Sequence, residues 1–217
     1  MIELALGSPD APRTVLCIGA HCDDIEIGCG GTLLRLSERY PQLRVHWVVL
    51  SSSPVRAAEA QESAARFLRK VRHKEVVIKD FRNSFFPFVG AEIKEFFEQV
   101  KRQVEPDLVL THARTDLHQD HRLTSELTLN SFRDHLILEY EIPKYDGDLG
   151  APNFFMPLDQ RHTDEKVDCL LECFVSQRDK HWFTRDLFVA LMRLRGMECN
   201  SPSGFAEAFY CRKAVMA

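Results

Sequence analysis

The pattern of apolar and polar positions predicts alternating strands and helices. Arg13 to Ala20 is a short apolar run ending in small residues, a buried strand feeding a loop. Gly28 to Arg39 has helix composition, with Leu33, Leu34 and Leu36 near one face. Arg44 to Leu50 is β-branched and predicts a second strand. Ser51 to Pro54 can open a helix over Val55 to Leu68. Lys74 to Ile78 predicts a third strand, and Ile93, Phe96, Phe97 and Val100 form the stripe of a helix over Ala91 to Gln103. Pro106 to Thr111 predicts a fourth strand.

The second half is less regular. Leu136 to Ile142 reads as a strand and Pro143 to Pro157 as a loop. Glu165 to Phe174 and Thr184 to Arg195 read as helices, and Ala206 to Val215 as a late strand. Strand and helix alternating in this way predict an α/β fold, with a mostly parallel sheet, helices on both faces and a less regular C-terminal portion. No repeat or linker marks a boundary, so one domain over residues 1–217 is expected. The segments Phe85-Phe86-Pro87-Phe88 and Phe154-Phe155 suit either core or a homo-oligomer interface.

Composition narrows the class. A chain of 217 residues with 45% hydrophobic content and 15 Phe has ample material for a core, and a chain of this length buries roughly 70% of its unfolded surface. Disordered, collagen-like and mini-protein classes are excluded. The net charge of −4, with 28 basic against 32 acidic residues, gives no basic arm for nucleic acid. Met1 to Ala5 lacks a basic n-region, and the longest apolar runs, such as Trp47 to Leu50, are too short for a membrane span. Seven cysteines form no C-x-x-C pair, which fits reduced thiols rather than a disulfide framework or a cysteine-type zinc site. A soluble cytoplasmic protein is expected.

Two clusters carry chemistry. His21-Cys22-Asp23-Asp24, followed by Gly28-Cys29-Gly30-Gly31, lies where the first strand gives way to the first helix. His112 to His121 directly follows the fourth strand. In a doubly wound sheet both emerge at the carboxyl edge, where ligands bind. Imidazole and carboxylate together suit zinc or another borderline divalent ion, and hydrolysis by such a site also needs a base and an acid. His21, Asp23, Asp24, His118 and His121 are suitable side chains.

Other readings compete. Asp23 or Asp24 can cap a helix. The glycine run can hold a phosphate or a dinucleotide, although it is not G-x-G-x-x-G and follows an acidic stretch. Cys22 or Cys29 can act as a nucleophile with a histidine base. His112 and His135 read as bystanders. Arg56 is the best candidate for a substrate oxygen because its guanidinium is a planar fork, against the reading of a solvated helix charge. Glu59 can fix Arg56 or merely pair with it on the helix face. Arg82 and Lys144-Tyr145 lie in loops near the mouth.

Ala20-His21-Cys22-Asp23-Asp24 with Gly30-Gly31-Thr32-Leu33 resembles the A-H-P-D-D…G-G-T-L signature of the PIG-L/LmbE-like de-N-acetylases. His118-Gln119-Asp120-His121 resembles their H-x-D-H motif, and Arg56 with Glu59, Ser176-Gln177 and Ala206-Glu207-Ala208-Phe209 also fit. The resemblance implies a Rossmann-like sheet and a zinc-dependent hydrolase that removes an acetyl group from an amino sugar of the N-acetylglucosamine type. By motif position His21, Asp24 and His121 bind zinc, Asp23 is the general base, and His118 stabilises the tetrahedral intermediate or protonates the leaving amine. Asp120 orients His118. Fe2+ is an alternative ion, because two histidines and one aspartate discriminate weakly. Hydrolysis of another small amide or ester, or metal binding without turnover, are the competing functions. The chain departs from the family pattern at Cys22 and Gln119, where proline is common, and lacks a histidine before Ser176-Gln177.

Overall fold

The computed structural model describes residues 3–215. Met1 and Ile2, part of the N-terminal stretch that lacks a basic n-region, lie outside them. Seven strands form one sheet: β1 (Arg13–Gly19), β2 (Leu43–Val49), β3 (His73–Ile78), β4 (Leu108–His112), β5 (Leu136–Tyr140), β6 (Phe154–Leu158) and β7 (Phe205–Cys211). Their spatial order is β3-β2-β1-β4-β5-β7-β6. The first five run parallel, and β7 runs antiparallel to both β5 and β6. The helices are α1 (Asp24–Arg39), α2 (Pro54–Phe67), α3 (Gly90–Gln103), α4 (Gln119–Ser131), α5 (Gln160–Cys173) and α6 (Arg185–Glu198). Among the described residues no helix is long and apolar enough to cross a membrane.

Both faces of the sheet are covered, so the middle stretches of its central strands, such as Val15 to Ile18 and Leu108 to Leu110, are apolar and buried. Val15 and Cys17 of β1 join a core with Leu33 and Leu36 of α1, Phe67 of α2 and Leu170 of α5. Leu16 and Ile18, which point the other way, join Phe86, Ile93 and Phe97 beneath α3 and α4.

Three elements depart from expectation. Residues 154–157 do not belong to a loop: Phe154–Leu158 is β6, and its Pro157 is tolerated because β6 is an edge strand. Helix α4 has no counterpart among the expected elements; it starts at Gln119 and carries the end of the second histidine cluster. That helix lacks an apolar stripe because Thr124, Ser125, Thr128 and Ser131 form its buried face. There the Thr128 and Thr111 hydroxyls lie 3.0 Å apart. Helix α1 starts at Asp24, before the expected Gly28, and is kinked at Cys29 (φ −146°, ψ 16°).

Candidate metal centre

Strands β1 and β4 are neighbours, with β2 beyond β1 on one side and β5 beyond β4 on the other. Their carboxyl ends therefore border the crevice where strand order reverses. The loops leaving them meet there, which brings His21 and Asp24 to His112 and His121.

Asp24 is the hub. Its Oδ2 accepts the His21 backbone N–H at 2.6 Å and lies 3.4 Å from His21 Nδ1 and 3.5 Å from His121 Nε2. His21 Nδ1 and His121 Nε2 are 3.1 Å apart. Tetrahedral bonds of about 2.0–2.1 Å to zinc separate neighbouring donor atoms by about 3.3 Å. The three atoms thus have the spacing of one face of a zinc coordination shell, and the donor chemistry fits a borderline divalent ion.

Each imidazole is backed by a carboxylate, which fixes its ring and turns the other nitrogen toward Asp24. His121 Nδ1 donates to Asp116 Oδ2 at 2.9 Å, and Lys144 Nζ lies 3.0 Å from the same oxygen. His21 Nε2 meets Asp120 Oδ2 at 3.2 Å. Burial pulls the His21 pKa down, but hydrogen bonds to Asp120 and Asp24 outweigh it and hold it up at about 10. Burial, aided by neighbouring His112, pushes His121 down to about 4. Burial of Asp116 raises its pKa, yet His121, His112 and Lys144 hold it down at about 2. Asp24 is likewise kept ionised: His121, His112 and His21 overcome the effect of burial. In the metal-free chain the His21 proton is therefore the positive charge between Asp24 and Asp120.

Sequence reasoning treats His112 as a bystander and omits Asp116. His112 in fact ends β4 inside the cluster: it is 0% exposed, its Nε2 is 3.1 Å from Asp24 Oδ2, and its ring stacks on His121 at 4.0 Å. Asp24, His112 and His121 form a second set of donor atoms within 4.8 Å of one another, beside the set His21, His118 and His121. The strand-end position of His112 was the available signal. His135 does stand apart, packed on Phe132.

Asp120 differs from its expected place. Its carboxylate accepts from the backbone N–H groups of Ser84 at 2.6 Å and Phe86 at 3.2 Å and contacts His21, not the His118 side chain. The reason is local: residues two apart at a helix start do not face each other. Ser84 takes the left-handed conformation (φ 65°) in the loop that supplies these donors. His118 caps α4, its Nδ1 accepting the Asp120 N–H at 3.2 Å. A neutral His118 then carries its proton on Nε2. Burial, with the charge on His21, keeps the pKa of His118 below the usual imidazole value.

Asp23 occupies the N-cap of α1 but makes no side-chain capping bond. Its Oδ1 lies 2.8 Å from Arg56 Nη2. The competing readings lose ground at the same loop. A Cβ on Gly28 would come within 2.2 Å of the Tyr140 ring, and one on Gly31 within 2.5 Å of Leu158, so these glycines permit close packing rather than cradle a phosphate. Cys22 donates to the Ser51 carbonyl, and burial pushes its thiol up to about 12. Cys29 is buried, donates to Ile25 and is also raised. Neither has the depressed pKa of a nucleophile. Lys144 is held by Asp116 and Asp148, and Arg82 lies over the Phe85 ring.

Comparison with known proteins bears on this geometry. The uncharacterized deacetylase YaiS of Escherichia coli K12 is 26% identical over 145 residues, which are 64% of this chain and 78% of that protein. The N,N'-diacetylchitobiose deacetylase of Pyrococcus horikoshii, solved with its inhibitor, aligns with a TM-score of 0.72 at 20% identity, covering 92% of this chain and 83% of that one. GalB, the 4-carboxy-2-hydroxymuconate hydratase of Pseudomonas putida KT2440, aligns with a TM-score of 0.75 at 16% identity, covering 94% and 98%. At these identities the solved structures speak for the fold alone, and a deacetylase and a hydratase share it. The family model described as PIG-L, GlcNAc-PI de-N-acetylase, matches residues 16–132, which include both histidine clusters. On that match, over more than half of its length, the chain belongs to the PIG-L (GlcNAc-PI de-N-acetylase) family.

Proposed function

We propose that the protein is a zinc-dependent hydrolase that removes an N-acetyl or similar N-acyl group from a small amino sugar or its conjugate. The observation that carries this reading is the triangle of His21 Nδ1, Asp24 Oδ2 and His121 Nε2, with sides of 3.1, 3.4 and 3.5 Å. Family membership and a deacetylase relative support the reaction class.

His21, Asp24 and His121 would hold the ion, and Asp120 and Asp116 would orient the two imidazoles. A divalent ion in such a site supplies Lewis-acid polarisation of the acyl carbonyl and makes water more acidic. Asp23 serves as the general base that takes a proton from the attacking water. His118, with its proton on Nε2, donates a hydrogen bond to the developing oxyanion. The proton removed from water ends on the leaving amine, so acid and amine are the products. Fe2+ is the alternative ion. Seven unpaired thiols support a reducing, cytoplasmic location.

The test joins elemental analysis to a primary-amine release assay on a panel of N-acetylated amino sugars, with metal-loaded and chelated protein. About one zinc per chain and chelator-sensitive amine release are expected. Metal without amine release would shift the reading to another amide or ester, or to binding without turnover. No metal uptake would overturn the site.

A further inference from the structure

We propose that Arg56 is a positioning residue that holds Asp23; this rests on the hydrolase reading above. Arg56 projects from the first turn of α2, and its guanidinium faces the Asp23 carboxylate. Nη2 lies 2.8 Å from Asp23 Oδ1. Nη1 lies 3.6 Å from Glu59 Oε2 and 3.5 Å from Ser176 Oγ. The guanidinium carbon sits 5.2 Å above the Phe174 ring. Glu59 is itself fixed, accepting from the Ser176 backbone N–H at 2.7 Å and from its hydroxyl at 2.6 Å. The side chains of Asp23, Arg56 and Glu59 are only 8%, 17% and 11% exposed, so this is a largely desolvated chain of charges and not a surface pairing.

The consequence follows from the geometry of a carboxylate. Arg56 lies against Oδ1, and in the proposal the other oxygen, Oδ2, takes the proton from the water. A planar guanidinium fixed by a second acid and an aromatic face sets the direction of that oxygen. Glu59, Ser176 and Phe174 act through Arg56, which gives the Ser176 segment a part in the site without any contact to substrate.

The experiment is a double-mutant cycle of Arg56→Gln and Asp23→Ala, with Arg56→Lys alongside. Amine release is read as separate kcat and KM, and urea unfolding is measured on the metal-free proteins. Arg56→Gln should lower kcat by about 10- to 100-fold with KM nearly unchanged, and should add nothing to the loss caused by Asp23→Ala. Arg56→Lys should recover part of kcat, because it keeps the charge but not the fork. A raised KM with kcat intact would overturn the proposal and return Arg56 to the substrate. If zinc-loaded wild type releases no amine from any substrate, the hydrolase reading fails and unfolding alone judges the clamp. Each single variant strands a buried charge, so the double variant should be less destabilised than the sum of the two. Additive losses would show that the two side chains are not coupled and would overturn the proposal.

Discussion

Lys166 and Glu207 form a buried ion pair, 2.6 Å between Nζ and Oε1, that straddles the kink in α1. Lys166 donates to the Ile27 carbonyl on the near side of the kink. Glu207 accepts the Gly31 and Thr32 backbone N–H groups, and the Thr32 hydroxyl, on the far side. The break at Cys29 would otherwise bury backbone groups without partners. The pair satisfies them and so fixes the short turn that carries Asp23 and Asp24. Glu207→Ala leaves the Lys166 ammonium unpaired in a site it occupies at 2% exposure. Urea unfolding should record a loss of about 3–5 kcal/mol, and Lys166→Met/Glu207→Ala together should lose less than the two single losses combined. Strictly additive losses would contradict the staple.

Asp116 should matter to metal affinity although it is placed behind a ligand. It holds the His121 ring through Nδ1, so that Nε2 faces Asp24. Asp116→Ala is expected to weaken zinc binding about 10- to 100-fold in a chelator competition titration. His121→Ala and Asp24→Ala should lose more. A variant at Asp116 that binds as wild type would mean that His121 is oriented by its stacking on His112 alone.

Zinc binding should release protons at neutral pH. Ligation needs a neutral imidazole, and His21 holds its proton up to about pH 10 because Asp120 and Asp24 hydrogen-bond to it. His121, down at about 4, is already neutral and does not compete. Below pH 10 the apparent affinity should therefore fall as pH falls, with about one proton released per ion near pH 7.5. Calorimetry in two buffers of different protonation enthalpy measures this number. Asp120→Asn removes a main support of that proton and should reduce the release. Equal heats in both buffers would refute the assignment of a protonated His21.

What the sequence revealed and what it hid have physical reasons. The parallel half of the sheet was legible because β1, β2 and β4 are buried along most of their length and read as largely apolar runs. The α4 helix was hidden because its inward face is made of threonine and serine, and β6 because Pro157 sits on an edge where no ladder bond is lost. At the site, His21, Asp24 and His121 were legible from motif position and converge in space. His112 was not, since its approach to Asp24 depends on β1 and β4 being neighbours, and Asp116 was not, since its bond to His121 depends on how the segment between β4 and α4 turns. Arg56 was legible as a candidate for a substrate oxygen, but not the direction in which its guanidinium turns, toward Asp23 and toward Ser176 far along the chain.

Asp23 and His118 should be separable from the ligands by one pair of measurements. Neither is needed to complete the triangle of donor atoms, and Asp23 is tied to Arg56 rather than to a capping bond. Asp23→Ala should keep its zinc content while amine release falls about 10²- to 10⁴-fold, the usual worth of a general base. His118→Ala should also keep zinc, and lose about 10²- to 10³-fold if its Nε2–H serves the oxyanion. The backbone bond from Asp120 to Nδ1 sets that tautomer, so His118→Gln, which retains a donor, should lose less than His118→Ala. Equal losses in the two His118 variants would mean that a proton is transferred rather than shared, and would make His118 the acid for the leaving amine. Loss of zinc in the Asp23 variant would instead make Asp23 part of the metal shell and remove it as the base.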